Sequence, residues 1–200
     1  MSVENRMARA ALVAVLLGAA AAQGASMREY RQVAISGGGE AIAAIESSDP
    51  GIPGQRAHAR IVVRDAASGR ITAEYDPCAT CSYDFPAWSP DRKALAFIGA
   101  DRAAGLATLW VARDGKVTAA ASVKGVANTA RWAPDGASIA LLATVDAKKQ
   151  TGAVEAGARQ VGEIGISDDA QRIALVPSAG GTLRLVSPPD AYVYEYDWMP

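Results

Sequence analysis

The chain of 200 residues has a single histidine, His58, and two cysteines, Cys78 and Cys81. These are too few nitrogen and sulfur ligands for a closed structural zinc site. A Ser-His-Asp triad would have to use His58. Charge of one sign is also missing. Twenty basic side chains face twenty-one acidic ones, a net of -1, so nothing draws the chain to a polyanion and nucleic-acid binding is not its main task. Long apolar runs are absent as well: the longest near the start, Ala10 to Ala22, has thirteen residues. As a helix it reaches about 20 Å, short of the roughly 30 Å hydrocarbon core of a membrane. What is present is a composition half hydrophobic and one-fifth charged, enough to bury a sizeable core in one domain or a piece of a larger one.

Arg6 and Arg9 precede that short apolar run, and small residues close it. A basic start, an apolar middle and a small-x-small end describe a secretory signal peptide over residues 1–22. Ala20 and Ala22 fit the cleavage rule and make Gln23 the mature N-terminus; Ala22 with Gly24 is the second choice. The sequence thus places the mature chain, residues 23–200, in the periplasm or outside the cell, with no membrane attachment after cleavage.

Four stretches of the mature chain align. They are Ile35-Ser-Gly-Gly-Gly-Glu-Ala-Ile42-Ala43, Trp88-Ser-Pro-Asp-Arg-Lys-Ala-Leu95-Ala96, Trp132-Ala-Pro-Asp-Gly-Ala-Ser-Ile139-Ala140 and Ile166-Ser-Asp-Asp-Ala-Gln-Arg-Ile173-Ala174. Each opens on a large apolar residue, passes through a polar or Gly/Pro turn, and resumes with an aliphatic residue and an alanine. A fifth start stands at Trp198-Met-Pro200. The starts near 35, 88, 132, 166 and 198 lie 53, 44, 34 and 32 residues apart, scattered about the period of four-stranded propeller blades. The expected fold is all-β: a partial β-propeller of four-stranded antiparallel blades, about four of them, forming an open arc.

The residue types suit such a unit. Pro90 and Pro134 preset φ for a turn, and Asp91 and Asp135 can bond their own backbone within it. Gly136 tolerates the positive φ that the turn calls for, whereas Arg92 fills the same place less comfortably. Leu95-Ala-Phe-Ile and Ile139-Ala-Leu-Leu are short apolar runs, as expected of strands buried on both faces. Ser68-Gly69 and Asp114-Gly115 read as hairpin turns after further strands. Thr182 to Ser187 reads as the third strand of the fourth unit. Two insertions, Ser47–Ala59 and Asp146–Glu163, are candidate functional loops or plain solvent-exposed excursions.

Cys78-Ala-Thr-Cys81 is not a haem attachment motif, because Ser82 follows in place of histidine. Thioredoxin-type chemistry needs the pair to open a helix, and metal binding needs two further ligands. A short-loop disulfide in an oxidising compartment or two unpaired thiols remain. Tyr192, Tyr194 and Tyr196 alternate with Val193, Glu195 and Asp197, so one face of an expected strand is aromatic. That face either lines a peptide-facing cavity or packs between blades. No catalytic, metal or cofactor site is expected in the chain.

Trp88-Ser-Pro-Asp-Arg-Lys-Ala-Leu-Ala-Phe followed by Thr108-Leu-Trp-Val resembles the repeat shared by TolB-like propellers and the propellers of prolyl oligopeptidase-family serine peptidases. Lys149 to Gly165 and Ser187 to Trp198 are similar to segments of secreted, dipeptidyl-peptidase-like members of that family. The resemblance implies a propeller that gates and binds a peptide substrate for a C-terminal α/β-hydrolase domain lying outside this chain. The nucleophile of such a domain sits on a Gly-x-Ser-x-Gly elbow, and no such motif occurs here. The chain stops at Trp198-Met-Pro200, inside the repeat motif, as the front part of a longer protein would. The alternative that the same repeat implies is a non-enzymatic periplasmic propeller that binds another protein.

Overall fold

The computed structural model describes residues 28–48, 57–147 and 170–199. The signal-peptide segment, most of both insertions and the Ile166 start lie outside them. Every regular element among the described residues is a strand. The order is β1 (Glu29–Ile35), β2 (Ala41–Ser47), β3 (Arg60–Asp65), β4 (Ile71–Tyr75), β5 (Ser82–Trp88), β6 (Ala94–Asp101), β7 (Leu106–Arg113), β8 (Lys116–Trp132), β9 (Ser138–Val145), β10 (Arg172–Pro177) and β11 (Arg184–Leu185).

Every pairing is antiparallel, and each strand pairs with the next in sequence except β4 with β5. β1 to β4 form one four-stranded sheet, while β5 to β11 are joined in a single ladder because β8 serves two sheets. Its first half pairs with β7 as the outer strand of the second blade, and its second half pairs with β9 as the inner strand of the third. The crossing is at Gly125, with φ of 126°, where an added Cβ would lie 2.1 Å from the Thr144 carbonyl. No side chain fits there. The described residues thus form three four-stranded blades in an open, partial propeller.

Burial on both faces produces the expected apolar runs. Along β6, Leu95 and Phe97 face the first blade, in a core with Ile45, Ile61 and Tyr83. Ala94, Ala96 and Ile98 face the third, in a core with Leu109, Trp132, Ile139 and Leu141. The alanines after the aliphatic residue, Ala43, Ala96, Ala140 and Ala174, are all buried.

The turn between first and second strands repeats closely. Gly39, Arg92 and Gly136 have φ of 79°, 62° and 70°, and their amides donate to the carbonyls of Ser36, Ser89 and Ala133. The Asp114-Gly115 hairpin has positive φ at both central residues, matching the twist of the strands it joins.

Neighbouring blades are tied by one device. The indole of Trp88 donates to the Ala34 carbonyl at 3.2 Å, that of Trp132 to Ala87 at 2.9 Å, and that of Trp198 to Arg131 at 3.3 Å. In each case the acceptor directly precedes the large apolar residue that opens the repeat of the blade before, its landmark: Ile35, Trp88 or Trp132. Residues up to Trp198 therefore occupy the place of the next inner strand.

Of the unit expected to start near 166, the start lies outside the described residues, while its aliphatic-alanine pair lies within them. Ile173 and Ala174 lie in β10, paired with Leu142 and Leu141 of β9, so they belong to the third strand of the third blade. Thr182 to Ser187 supplies β11, the fourth strand of that blade. The match arose because an aliphatic-alanine pair marks a strand buried on both faces, wherever in the blade it lies. Among the described residues, the strands from Trp132 onward make one blade.

Candidate functional site at the junction of the first two blades

Asp76 to Cys81 connects the outer strand of the first blade, β4, to the inner strand of the second, β5. Pro77 and the two cysteines make this segment a tight loop. Cys78 and Cys81 are joined by a disulfide, with Cα atoms 5.3 Å apart, and the Cys81 amide donates to the Cys78 carbonyl at 3.1 Å.

Tyr83, fully buried on β5, brings its hydroxyl up beneath this loop. The hydroxyl accepts from the Cys78 amide at 2.8 Å and lies 2.9 Å from both the Cys78 carbonyl and Asp76 Oδ1. His58 Nε2 meets the same Asp76 oxygen at 2.8 Å. Thr80, on the outer side, donates to Asp101 at 2.8 Å. Burial, and after it the bond to Asp76, pushes the Tyr83 hydroxyl far above the usual phenol range. Burial of Asp76 acts to raise its carboxyl, but hydrogen bonds from His58 and Tyr83 outweigh it and hold the group below the usual carboxylate range. The cluster is a hydrogen-bonded network centred on one oxygen of Asp76.

Two grooves flank this junction. The larger, of 490 Å³, opens between the first two sheets over Tyr75, Trp88 and Leu95. Its rim is clamped by Arg92 to Glu40 at 2.6 Å and Arg113 to Asp91 at 3.2 Å. The smaller, of 140 Å³, is lined by His58, Arg60, Glu74 and Glu46. Glu46 is 5% exposed and accepts two bonds from Arg64, each 2.7 Å. The guanidinium thus meets the carboxylate with two parallel bonds, the fork geometry that suits a buried pair.

The tyrosines expected on one face of a strand stand at positions 192, 194 and 196. Residues 191–199 form no regular strand. Tyr192 and Tyr194 are 52% and 83% exposed, with ring centroids 4.6 Å apart. Tyr196 turns inward instead and donates its hydroxyl to the carbonyls of Thr129 and Ala140. It packs on the third blade, so it does not share a face with Tyr192 and Tyr194.

Sequence reasoning did not find Asp76 or Tyr83 as partners of His58 and the cysteines. The available signal was closeness in sequence alone: both residues flank the Cys pair. Among the described residues no group of three or more His, Cys, Asp or Glu side chains is placed to hold a metal ion, and no helix is long and apolar enough to cross a membrane.

No protein-family profile matches the chain, and no curated protein matches it by sequence. Solved structures do match in fold. TolB from Acinetobacter baumannii is similar over 80% of this chain and 33% of its own, with a TM-score of 0.51 and 15% identity. The β-propeller domain of the Trilobed protease from Pyrococcus furiosus is similar over 78% of this chain and 41% of its own, at 0.52 and 14%. Pyrococcus horikoshii acylaminoacyl peptidase is similar over 83% of this chain and 26% of its own, at 0.55 and 13%. The chain thus spans between about a quarter and two-fifths of these structures. At such low identity the likeness fixes the architecture, and that architecture is a β-propeller of the kind found in TolB and in peptidases that carry a propeller domain.

Proposed function

We propose that the chain is the N-terminal propeller part of an exported serine peptidase resembling the prolyl oligopeptidase family. In this reading the propeller admits and binds peptide substrate for an α/β-hydrolase domain encoded outside these 200 residues. The observation that carries it is the indole-to-carbonyl relay, which runs from blade to blade and on to Trp198. It supports radially stacked sheets around an axis, the arrangement such a gate requires. A propeller of this kind excludes folded proteins by size and contributes contacts to short peptides; those stronger in the transition state raise kcat. Signal cleavage after Ala22 and delivery to the periplasm belong to the same reading.

The test uses the native polypeptide. Antibodies raised against residues 28–199 are expected to recognise a larger protein that reacts covalently with a fluorophosphonate and cleaves chromogenic dipeptide substrates. Recognition of a polypeptide that takes no label and cleaves none of them would overturn the reading. The fold likeness extends equally to TolB, so the second reading is a non-enzymatic periplasmic propeller that binds another protein. It is favoured if the unlabelled polypeptide co-purifies from periplasmic extract with one stoichiometric partner.

A further inference from the structure

We propose that the Cys78–Cys81 disulfide is a reducible clamp: a dithiol reductant opens it, releasing the Asp76–Cys81 connector and, with it, the Tyr83, Asp76 and His58 network. This goes beyond the function proposed above and does not depend on it.

The two sulfurs differ in access. Cys81 is 7% exposed and packs with Ala59, Ile61, Tyr83 and Phe97. Cys78 is half-buried, and its Sγ lies 3.6 Å from the hydroxyl of exposed Thr80. An incoming thiolate therefore attacks Cys78 Sγ. The S–S bond breaks, and Cys81 leaves as a thiolate that takes up a proton. The second thiol of the reductant then attacks its own sulfur in the mixed disulfide and releases Cys78, which is also protonated. The protein gains two electrons and two protons, and the dithiol becomes a disulfide.

The same bond holds the loop in place over the core. Both backbone groups of Cys78 lie against the Tyr83 hydroxyl, and that hydroxyl and His58 share one oxygen of Asp76. The release stays local for a physical reason. A disulfide that closes so short a loop removes little entropy from the unfolded chain, and the flanking sheets keep their own ladders and cores. Since His58 lies on the lip of the smaller groove beside Arg60 and Glu74, opening the clamp also loosens one wall of that groove.

Hydrogen exchange on the full chain, with and without dithiothreitol, tests the proposal, and limiting iodoacetamide identifies the thiols. Reduction is expected to speed exchange of the Cys78 amide at least tenfold while β6 and β9 amides stay unchanged, with Cys78 alkylated before Cys81. Tyr83→Phe in the oxidised protein is expected to speed the Cys78 amide alone. Unchanged protection of Cys78 after reduction would overturn the clamp. Loss of protection across all three blades would overturn its local character.

Discussion

Replacing Trp132 with phenylalanine isolates the contact that joins one blade to the next. Trp132 is 7% exposed, and its indole donates to the Ala87 carbonyl across the blade boundary at 2.9 Å. Phenylalanine keeps a ring but loses the donor and the pyrrole half of the indole. The lost hydrogen bond amounts to about 1 kcal/mol, and a part-buried carbonyl left one partner short adds about as much again. The void contributes on the order of 1 kcal/mol more. Together these give about 3 kcal/mol, or a fall in Tm of about 6–12 °C for a chain of this length. Trp110 is the internal control, because its buried indole nitrogen has no hydrogen-bond partner among the described residues. Trp110→Phe opens a similar void but removes an unmet donor whose burial is unfavourable by about 1–3 kcal/mol, so the net change is close to zero. Urea denaturation followed by far-UV circular dichroism, at matched protein concentration, measures both variants. Equal destabilisation by the two, or a larger loss from Trp110→Phe, would show that the indole relay does not hold the blades together.

Gly136→Ala tests the left-handed turn, where φ is 70° and the nearest atom to an added Cβ is 3.9 Å away. With space available the loss is conformational, about 1 kcal/mol, and Gly136→Asn is expected to lose less than half of that; a neutral alanine in urea unfolding would remove the case for strain. Asp91 is drawn down to about 2, first by the Ser89 hydroxyl, then by the Lys93 amide and Arg113. Its folded value lies below the ordinary 3.8, so its stabilising effect is present above about pH 4 and is lost as pH falls through about 2. Titration of its carboxyl carbon by NMR is expected to show this, and Ser89→Ala to return the value most of the way to normal. Val33 and Ile35 on β1 are 57% and 63% exposed, as are Tyr192 and Tyr194 for the most part of their surface. The 200-residue chain is therefore expected to self-associate in size-exclusion chromatography, and a monomeric peak with a sharp thermal transition would contradict this.

Much of the blade was legible because its turn chemistry is local. Pro90-Asp91 and Pro134-Asp135-Gly136 announce a turn whose geometry depends on those residues alone, and Asp114-Gly115 does the same for a hairpin. The blade count was less legible. Ile173-Ala174 satisfies the pattern of a second strand while forming a third, since burial on two faces imposes the same residues on both. Of the candidate site, the cysteines could be read but their partners could not. Tyr83 reaches them from inside a core assembled by strands distant in sequence, and nothing in a tyrosine at that position distinguishes a buried hydroxyl from an exposed one.

The least visible part of the repeat is also the most regular. Three residues before each landmark, Gln32, Phe85 and Thr129 have φ of 46°, 57° and 54°, and the inner strand slips register at that point in every blade. None is glycine, so each holds about 1 kcal/mol or more of backbone strain. Three unrelated side chains would not arrive at one strained conformation through local preference, so the requirement comes from the inner strand itself. Each bulge is tied to a neighbouring blade by different chemistry. The Gln32 side chain donates to Asp84 and accepts the Phe85 amide; Phe85 packs on the core between the second and third blades; the Thr129 carbonyl accepts the Tyr196 hydroxyl. A bulge turns backbone and side chain out of the ladder, and at the crowded inner edge this is how one blade reaches the next. The backbone conformation repeats because the packing repeats, whereas the sequence there is free to vary because three different contacts serve the same purpose.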